Sequence, residues 1–160
     1  MTKSTRGFSL IELLIVVAII LIIAAIAIPN LLRSRIAANQ ASAVSSLRSL
    51  NTAEVAYSST YSVGFSATLS YLAPQTGTAN PTSTAAGMID SILALGSKSG
   101  YTFTYSPGAA DATGRVNTYS FTAVPITSST GTNSYYTDQS GVIRQNSTTT
   151  AGSTDSPIGG

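Results

Sequence analysis

"RGFSLIELLIVVAIILIIAAIAIPN" (residues 6–30) decides the architecture of the N-terminal part of this 160-residue chain. Sixteen consecutive apolar residues run from Leu13 to Ile28. As an α-helix, the stretch from Phe8 to Ile28 is roughly 30 Å long, about the thickness of the hydrocarbon core of a bilayer. Because no water is available in that core, a single span has to be helical. The stretch therefore predicts one transmembrane helix, with the carboxylate of Glu12 as an unexpected charge inside it.

The charges around this helix predict its orientation. Lys3 and Arg6 lie on its short N-terminal side, and basic residues next to a span are typical of the cytoplasmic face. The remainder of the chain is expected across the membrane. From Phe8 onward the chain carries six basic and six acidic side chains, so it has no net side-chain charge. That balance predicts no binding patch for nucleic acid.

The composition argues against an enzyme. Charged residues make up 9% of the chain, against about 25% in typical soluble proteins, and the chain contains neither cysteine nor histidine. Thiol chemistry, disulfides, the usual zinc ligands and the commonest general base are therefore excluded. Calcium needs six to eight oxygen ligands, but Asp138 and Asp155 are the only acids in the last 45 residues. Asp138 is typical of a turn, so neither a metal site nor a cofactor is expected.

Two simple interpretations of the N-terminal segment fail. A secretory signal peptide has a shorter apolar region, followed by a small-residue cleavage site. Here the longer apolar run ends in Ile28-Pro29-Asn30. A plain membrane anchor does not explain Glu12, since a charge deep in lipid costs about 3 kcal/mol and normally has a function and a partner.

The residues around the glutamate resemble the class III signal of type IV prepilins, which reads glycine, then phenylalanine, then S/T-L-x-E. The matching residues are Arg6, Gly7, Phe8, Ser9, Leu10 and Glu12. The resemblance implies that a membrane peptidase cleaves after Gly7 and methylates the new N-terminal Phe8. The apolar segment that follows is then retained as the core helix of a filament.

The same resemblance gives roles to two residues inside the helix. In the family, the glutamate equivalent to Glu12 is thought to pair with the Phe8 amine of a neighbouring subunit and so to set the axial register. Pro29 lies 21 positions after Phe8, where the family has its helix proline. It predicts a kink or a locally melted segment around residues 21–30. "IPNLLRSRIAANQASAVSSL" also resembles type IVa pilins and major pseudopilins, and the close resemblance covers about residues 1–60.

The rest of the chain predicts an α+β pilin fold, in which a long N-terminal helix packs on a small antiparallel sheet. Helical spacing continues to about residue 60, with apolar positions that include Val55. Polar positions are expected at Arg33, Arg35, Gln40, Arg48 and Glu54. Alternation in "YTFTY" (101–105) and "TYSFTAV" (118–124), and a hairpin at 134–144, predict strands whose aromatic face covers the helix around residues 47–57. The expected organisation is a leader (1–7), a transmembrane or filament-core helix (8–30), an amphipathic helix (31–60) and a head (61–160).

Within the head, a loop is expected first, then a short helix at about 86–95 and the sheet at about 101–145. The tail "QNSTTTAGSTDSPIGG" has almost no apolar residue and is predicted to be flexible. Asn146 begins an N-glycosylation sequon, a motif that often matches by chance.

The resemblance implies a structural subunit of a type IV pilus. The precursor would be a single-pass inner-membrane protein with a cytoplasmic N-terminus, and the assembled filament would be extracellular. Its partners would be further copies in a helical filament, the prepilin peptidase, and the assembly ATPase with its platform protein; nucleic acid would be at most a ligand of the filament. Three alternatives stay open: a major pseudopilin of a type II secretion system, a minor pilin with a binding head, and a monomeric membrane-anchored enzyme or binding module.

Overall fold

The computed structural model describes residues 8–77 and 79–159, so Lys3, Arg6 and Gly7 lie outside the described residues. The chain divides into two units, one ending at Arg35 and the other beginning at Ile36. Its elements are one long helix followed by a small antiparallel sheet. The predicted α+β fold is therefore confirmed.

The long helix α1 extends over Leu10–Tyr61, 52 residues in all. Pro29 lies inside it and has no backbone N–H to donate to the preceding turn. The side chain of the next residue, Asn30, donates to the carbonyl oxygen of Ile26 at 3.0 Å. The structure is helical across residues 21–30, so the locally melted segment stays a prediction.

A second, much shorter helix α2 covers Ser91–Ala94, after a 3-10 helix at Leu69–Leu72. It begins at Ser91 because Asp90 caps it, its carboxylate accepting from the backbone N–H of Leu93 at 2.9 Å. Residues 86–89, which the sequence predicted as helical, instead donate backbone hydrogen bonds to carbonyls of residues 71–73. The predicted helix at 86–95 is therefore shortened to its last turn.

The sheet is a five-stranded antiparallel meander in which the strands pair in chain order. The strands are β1 (Ser97–Lys98), β2 (Tyr101–Pro107), β3 (Tyr119–Pro125), β4 (Ser134–Asp138) and β5 (Arg144–Asn146). Strands β2 and β3 form the longest pair, in which Phe103 lies opposite Ala123. The turn between β4 and β5 begins at Asp138, whose side chain accepts from the backbone N–H of Ser140 at 2.9 Å.

One apolar cluster joins the sheet to the second half of α1. The alternating residues of β2 and β3 are buried as predicted, with Phe121 fully buried at the centre. The helix contributes Ala43, Leu47, Leu50, Ala53 and Tyr57. Since a buried aromatic side chain removes about 150–250 Å² from water, the aromatic residues supply much of this core.

The C-terminal tail packs along β5, although its composition predicted flexibility. The backbone N–H of Gln145 donates to Ser156 O at 3.0 Å, and that of Ile158 donates to Ile143 O at 2.9 Å. Asp155 accepts from the side chain of Asn146 at 2.9 Å and from the backbone of Gly152 at 2.8 Å. Hydrogen bonds thus hold the tail against β5, although its few apolar residues predicted no such packing. One of these bonds uses the side-chain amide of Asn146, the asparagine of the sequon.

Candidate functional site

Phe8 and Glu12, the residues predicted to act in assembly, lie at the start of α1. Phe8 is 78% exposed and precedes the helix, which begins at Leu10. A carboxylate oxygen of Glu12 accepts from the backbone N–H of Ser9 at 3.0 Å. Ser9 and Glu12 therefore form one half of a capping box, in which an N3 glutamate satisfies an N–H group at the helix end. In the isolated chain Glu12 therefore already accepts a hydrogen bond from Ser9. To pair with a second copy as predicted, its carboxylate has to give up this bond or accept a second one beside it.

The first half of α1 carries an exposed apolar surface. The large apolar side chains from Leu10 to Leu32 are exposed, including Ile15, Ile20 and Ile26. By length and composition, α1 is the one described helix that could cross a membrane. Contiguous apolar surface of this extent is rare on soluble monomers and marks contact with lipid or with other protein. The arrangement suits a segment that lies first in a bilayer and then among copies of itself.

The second half of α1 carries a buried polar contact that the sequence did not predict. The side-chain amide of Asn51 donates to the hydroxyl of Thr137 on β4 at 2.8 Å. The hydroxyl of Tyr119 on β3 donates to the carbonyl oxygen of the same amide at 3.1 Å. Burial raises the pKa of Tyr119 to about 12, so this hydroxyl keeps its proton and remains a donor. Asn51 thus ties α1 to two strands of the sheet at once.

We expect Asn51→Ala to lower the free energy of unfolding by about 2 kcal/mol, because the buried hydroxyls of Tyr119 and Thr137 then lose a partner. Tyr119→Phe, which removes a single bond, should cost only about 1 kcal/mol. Chemical denaturation of the full chain in a mild detergent measures both losses. The free energy of unfolding of the double variant should fall by less than the sum of the two single losses. Strict additivity would show that Asn51 and Tyr119 do not act together.

A second buried polar group lies one turn further along α1. Glu54 was predicted on the polar face of the helix, but its side chain is 0% exposed. Its two carboxylate oxygens accept from the backbone N–H of Ser66 at 2.9 Å and from its hydroxyl at 2.6 Å. Val55 was predicted on the apolar face of the helix, but it is 58% exposed. The predicted positions Leu47 and Leu50 are buried, but one turn later Glu54 takes the inner position in place of Val55.

The spacing of the helix contained a signal for the burial of Glu54. Asn51 and Glu54 continue the positions of Leu47 and Leu50 at intervals of three and four residues, the spacing of one helix face. Polarity alone assigned Glu54 to the surface. Only the Ser66 partner, which comes from the following loop, explains its burial, and no local pattern identifies that partner.

Comparisons with known proteins support the N-terminal assignment. Residues 2–28 match the family model described as the prokaryotic N-terminal methylation motif. The chain is 52% identical over 52 residues to the type IV major pilin protein PilA of Myxococcus xanthus, covering 32% of this chain and 24% of that protein. It is 62% identical over 37 residues to the type IV wide pilus major component PilA4 of Thermus thermophilus, covering 23% of this chain and 28% of that protein.

The resemblance to type IV prepilins is confirmed for the N-terminal segment. The matched stretches span about a quarter of the length of each relative. No solved structure matches the chain. Among residues 8–77 and 79–159, no group of three or more acidic side chains could hold a metal ion.

Proposed function

We propose that this protein is the structural subunit of a type IV pilus. The exposed apolar half of α1, which begins with the matched methylation motif, is the observation that carries the proposal. A helix with this surface lies in the membrane as a precursor and then packs against other copies in a filament. The similarity of this segment to two proteins named as major pilus components supports the same function.

The maturation steps follow from the motif. A prepilin peptidase cleaves after Gly7 and methylates the amine of Phe8, an exposed residue that precedes α1. An assembly ATPase and its platform protein then move the subunit from the inner membrane into the filament. The remainder of the chain, the head, stays in water outside the cell.

The amine of Phe8 and the carboxylate of Glu12 set the register between subunits. In the apolar filament core, breaking such a pair leaves an uncompensated charge, which costs about 3–5 kcal/mol. An axial stagger in which the two charges meet is therefore strongly preferred. The local bond between Glu12 and Ser9 stabilises the carboxylate before a second copy arrives.

Mass spectrometry of sheared surface fibres tests the proposal. We expect the main protein of the fibres to begin at Phe8 and to carry one N-terminal methyl group. Finding the processed chain only in the membrane fraction would favour a pseudopilin or a minor pilin. A chain that still carries residues 1–7 would contradict the processing step.

A further inference from the structure

Glu54 lies in the core between α1 and the sheet, and no lysine or arginine among the described residues forms a salt bridge with it. It is fully buried, and both of its carboxylate oxygens face Ser66, five residues beyond the end of α1. The salt bridge formed among the described residues joins Lys98 to Asp90, away from this site. Burying a carboxylate costs free energy unless a charge or several hydrogen bonds compensate for it. Here two donors from one residue provide the compensation.

The titratable groups that face Glu54 are tyrosines from three elements. Tyr57 lies on α1, Tyr105 on β2 and Tyr119 on β3. Burial raises the pKa of each of these hydroxyls, and the charge on Glu54 raises it further. They therefore stay protonated below pH 10 and supply no charge that could stabilise an ionised carboxylate.

The neutral form of the carboxyl group can also satisfy the hydrogen bonds around it. The hydroxyl of Ser66 lies 2.6 Å from one oxygen of Glu54 and 3.3 Å from the hydroxyl of Tyr105, which donates to Ser66 O at 2.6 Å. If Glu54 carries a proton, it donates to the hydroxyl of Ser66, and that hydroxyl donates in turn to Tyr105. Every member of the chain then has a partner, because a hydroxyl can donate and accept at once.

We propose that Glu54 is an acid-stabilised latch that holds the segment 62–66 against α1 and loosens as the pH rises. The same segment is bound on its other side, where the backbone N–H of Phe65 donates to Val116 O at 2.7 Å. The latch therefore connects α1 with the loop between β2 and β3. When Glu54 ionises, the cost of the buried charge weakens this connection.

The direction of the pH dependence follows from the burial. Desolvation raises the pKa of Glu54 in the folded head, against the lowering effect of the bonds from Ser66 and Tyr105. The folded state thus binds the proton more tightly than the unfolded state. Its stabilising contribution is complete below the unfolded pKa and is lost as the pH rises through the folded pKa.

Selective labelling provides the first test, because Glu12 and Glu54 are the only glutamates of the chain. The full chain is prepared in a mild detergent with ¹³C at the glutamate carboxyl carbons, and the two signals are followed from pH 3 to pH 9. The signal that disappears in Glu54→Gln belongs to Glu54. We expect its midpoint above the ordinary value for glutamate; a midpoint at or below that value overturns the proposal.

The second test measures stability, with a variant that mimics the neutral carboxyl group. Glutamine keeps one acceptor for the Ser66 N–H and provides a donor for its hydroxyl. We expect the native chain to melt at least about 2 °C lower at pH 8 than at pH 5, and Glu54→Gln to lose this difference. Asp90→Asn, which removes a surface carboxylate, should keep it. If Glu54→Gln still melts at a lower temperature at pH 8 than at pH 5, the proposal is overturned. If that variant fails to fold, the titration of the Glu54 carboxyl group in the native chain tests the proposal instead.

Discussion

Replacing Gly64 with alanine is expected to lower the free energy of unfolding of the head by about 3 kcal/mol. Gly64 has a φ of +83°, a conformation that costs other residues about 1–2 kcal/mol. In addition, a Cβ at this position would overlap the carbonyl oxygen of Val116 and lie 3.0 Å from its backbone nitrogen. Both obstacles are backbone atoms, so no side-chain rotation relieves the overlap. Chemical denaturation of the full chain in detergent measures the loss.

Gly141→Ala is the matched control for this variant. Gly141 also has a positive φ, +73°, but a Cβ there would meet no atom within 4 Å. Gly141→Ala should therefore lower the free energy of unfolding only by the conformational cost, about 1 kcal/mol. Equal losses of stability in the two variants would mean that residues 64–66 move away from Val116 easily and that Val116 does not hold this segment in place.

The apolar half of α1 could be predicted from the sequence because it depends only on neighbouring residues. An uninterrupted apolar run fixes both helix and exposure, and a short motif at its start identifies Phe8 and Glu12 together. The strands were predictable for the same reason: alternation in β2 and β3 needs no knowledge of distant residues. Cleavage after Gly7, methylation of Phe8 and melting at Pro29 concern other states and partners of the chain, and they stay predictions.

What the sequence could not predict depends on distant pairs. The partners of Asn51 come from residues 119 and 137, and the partner of Glu54 comes from a loop twelve residues away. The absence of cysteine excludes disulfides, which leaves packing to hold the head. The structure adds buried hydrogen bonds between α1 and the sheet, and they restrict which packing is possible, because a shifted helix would leave them unsatisfied. The helix α2 is shorter than predicted for the same reason, because residues 86–89 donate hydrogen bonds to the distant residues 71–73.

Replacing Glu12 is expected to abolish filament assembly while membrane insertion continues. The apolar run is long enough to insert without the carboxylate, and removing a charge from it makes insertion easier. If the proposed pairing forms in the filament, Glu12→Ala leaves the amine of Phe8 on the neighbouring subunit buried and unpaired, at a cost of about 3–5 kcal/mol per contact. Fibre yield after shearing should fall below about one tenth of the native yield, with normal amounts of subunit in the membrane fraction.

Glu12→Gln distinguishes this role from the local one that the structure reveals. A glutamine oxygen can still accept from the N–H of Ser9, so the variant keeps the capping bond and removes only the charge. If the charge sets the register, Glu12→Gln makes as few fibres as Glu12→Ala. If capping of α1 is what assembly needs, the glutamine variant makes fibres at the native yield and the alanine variant does not. The first result assigns Glu12 to the contact between subunits; the second assigns it to the start of its own helix.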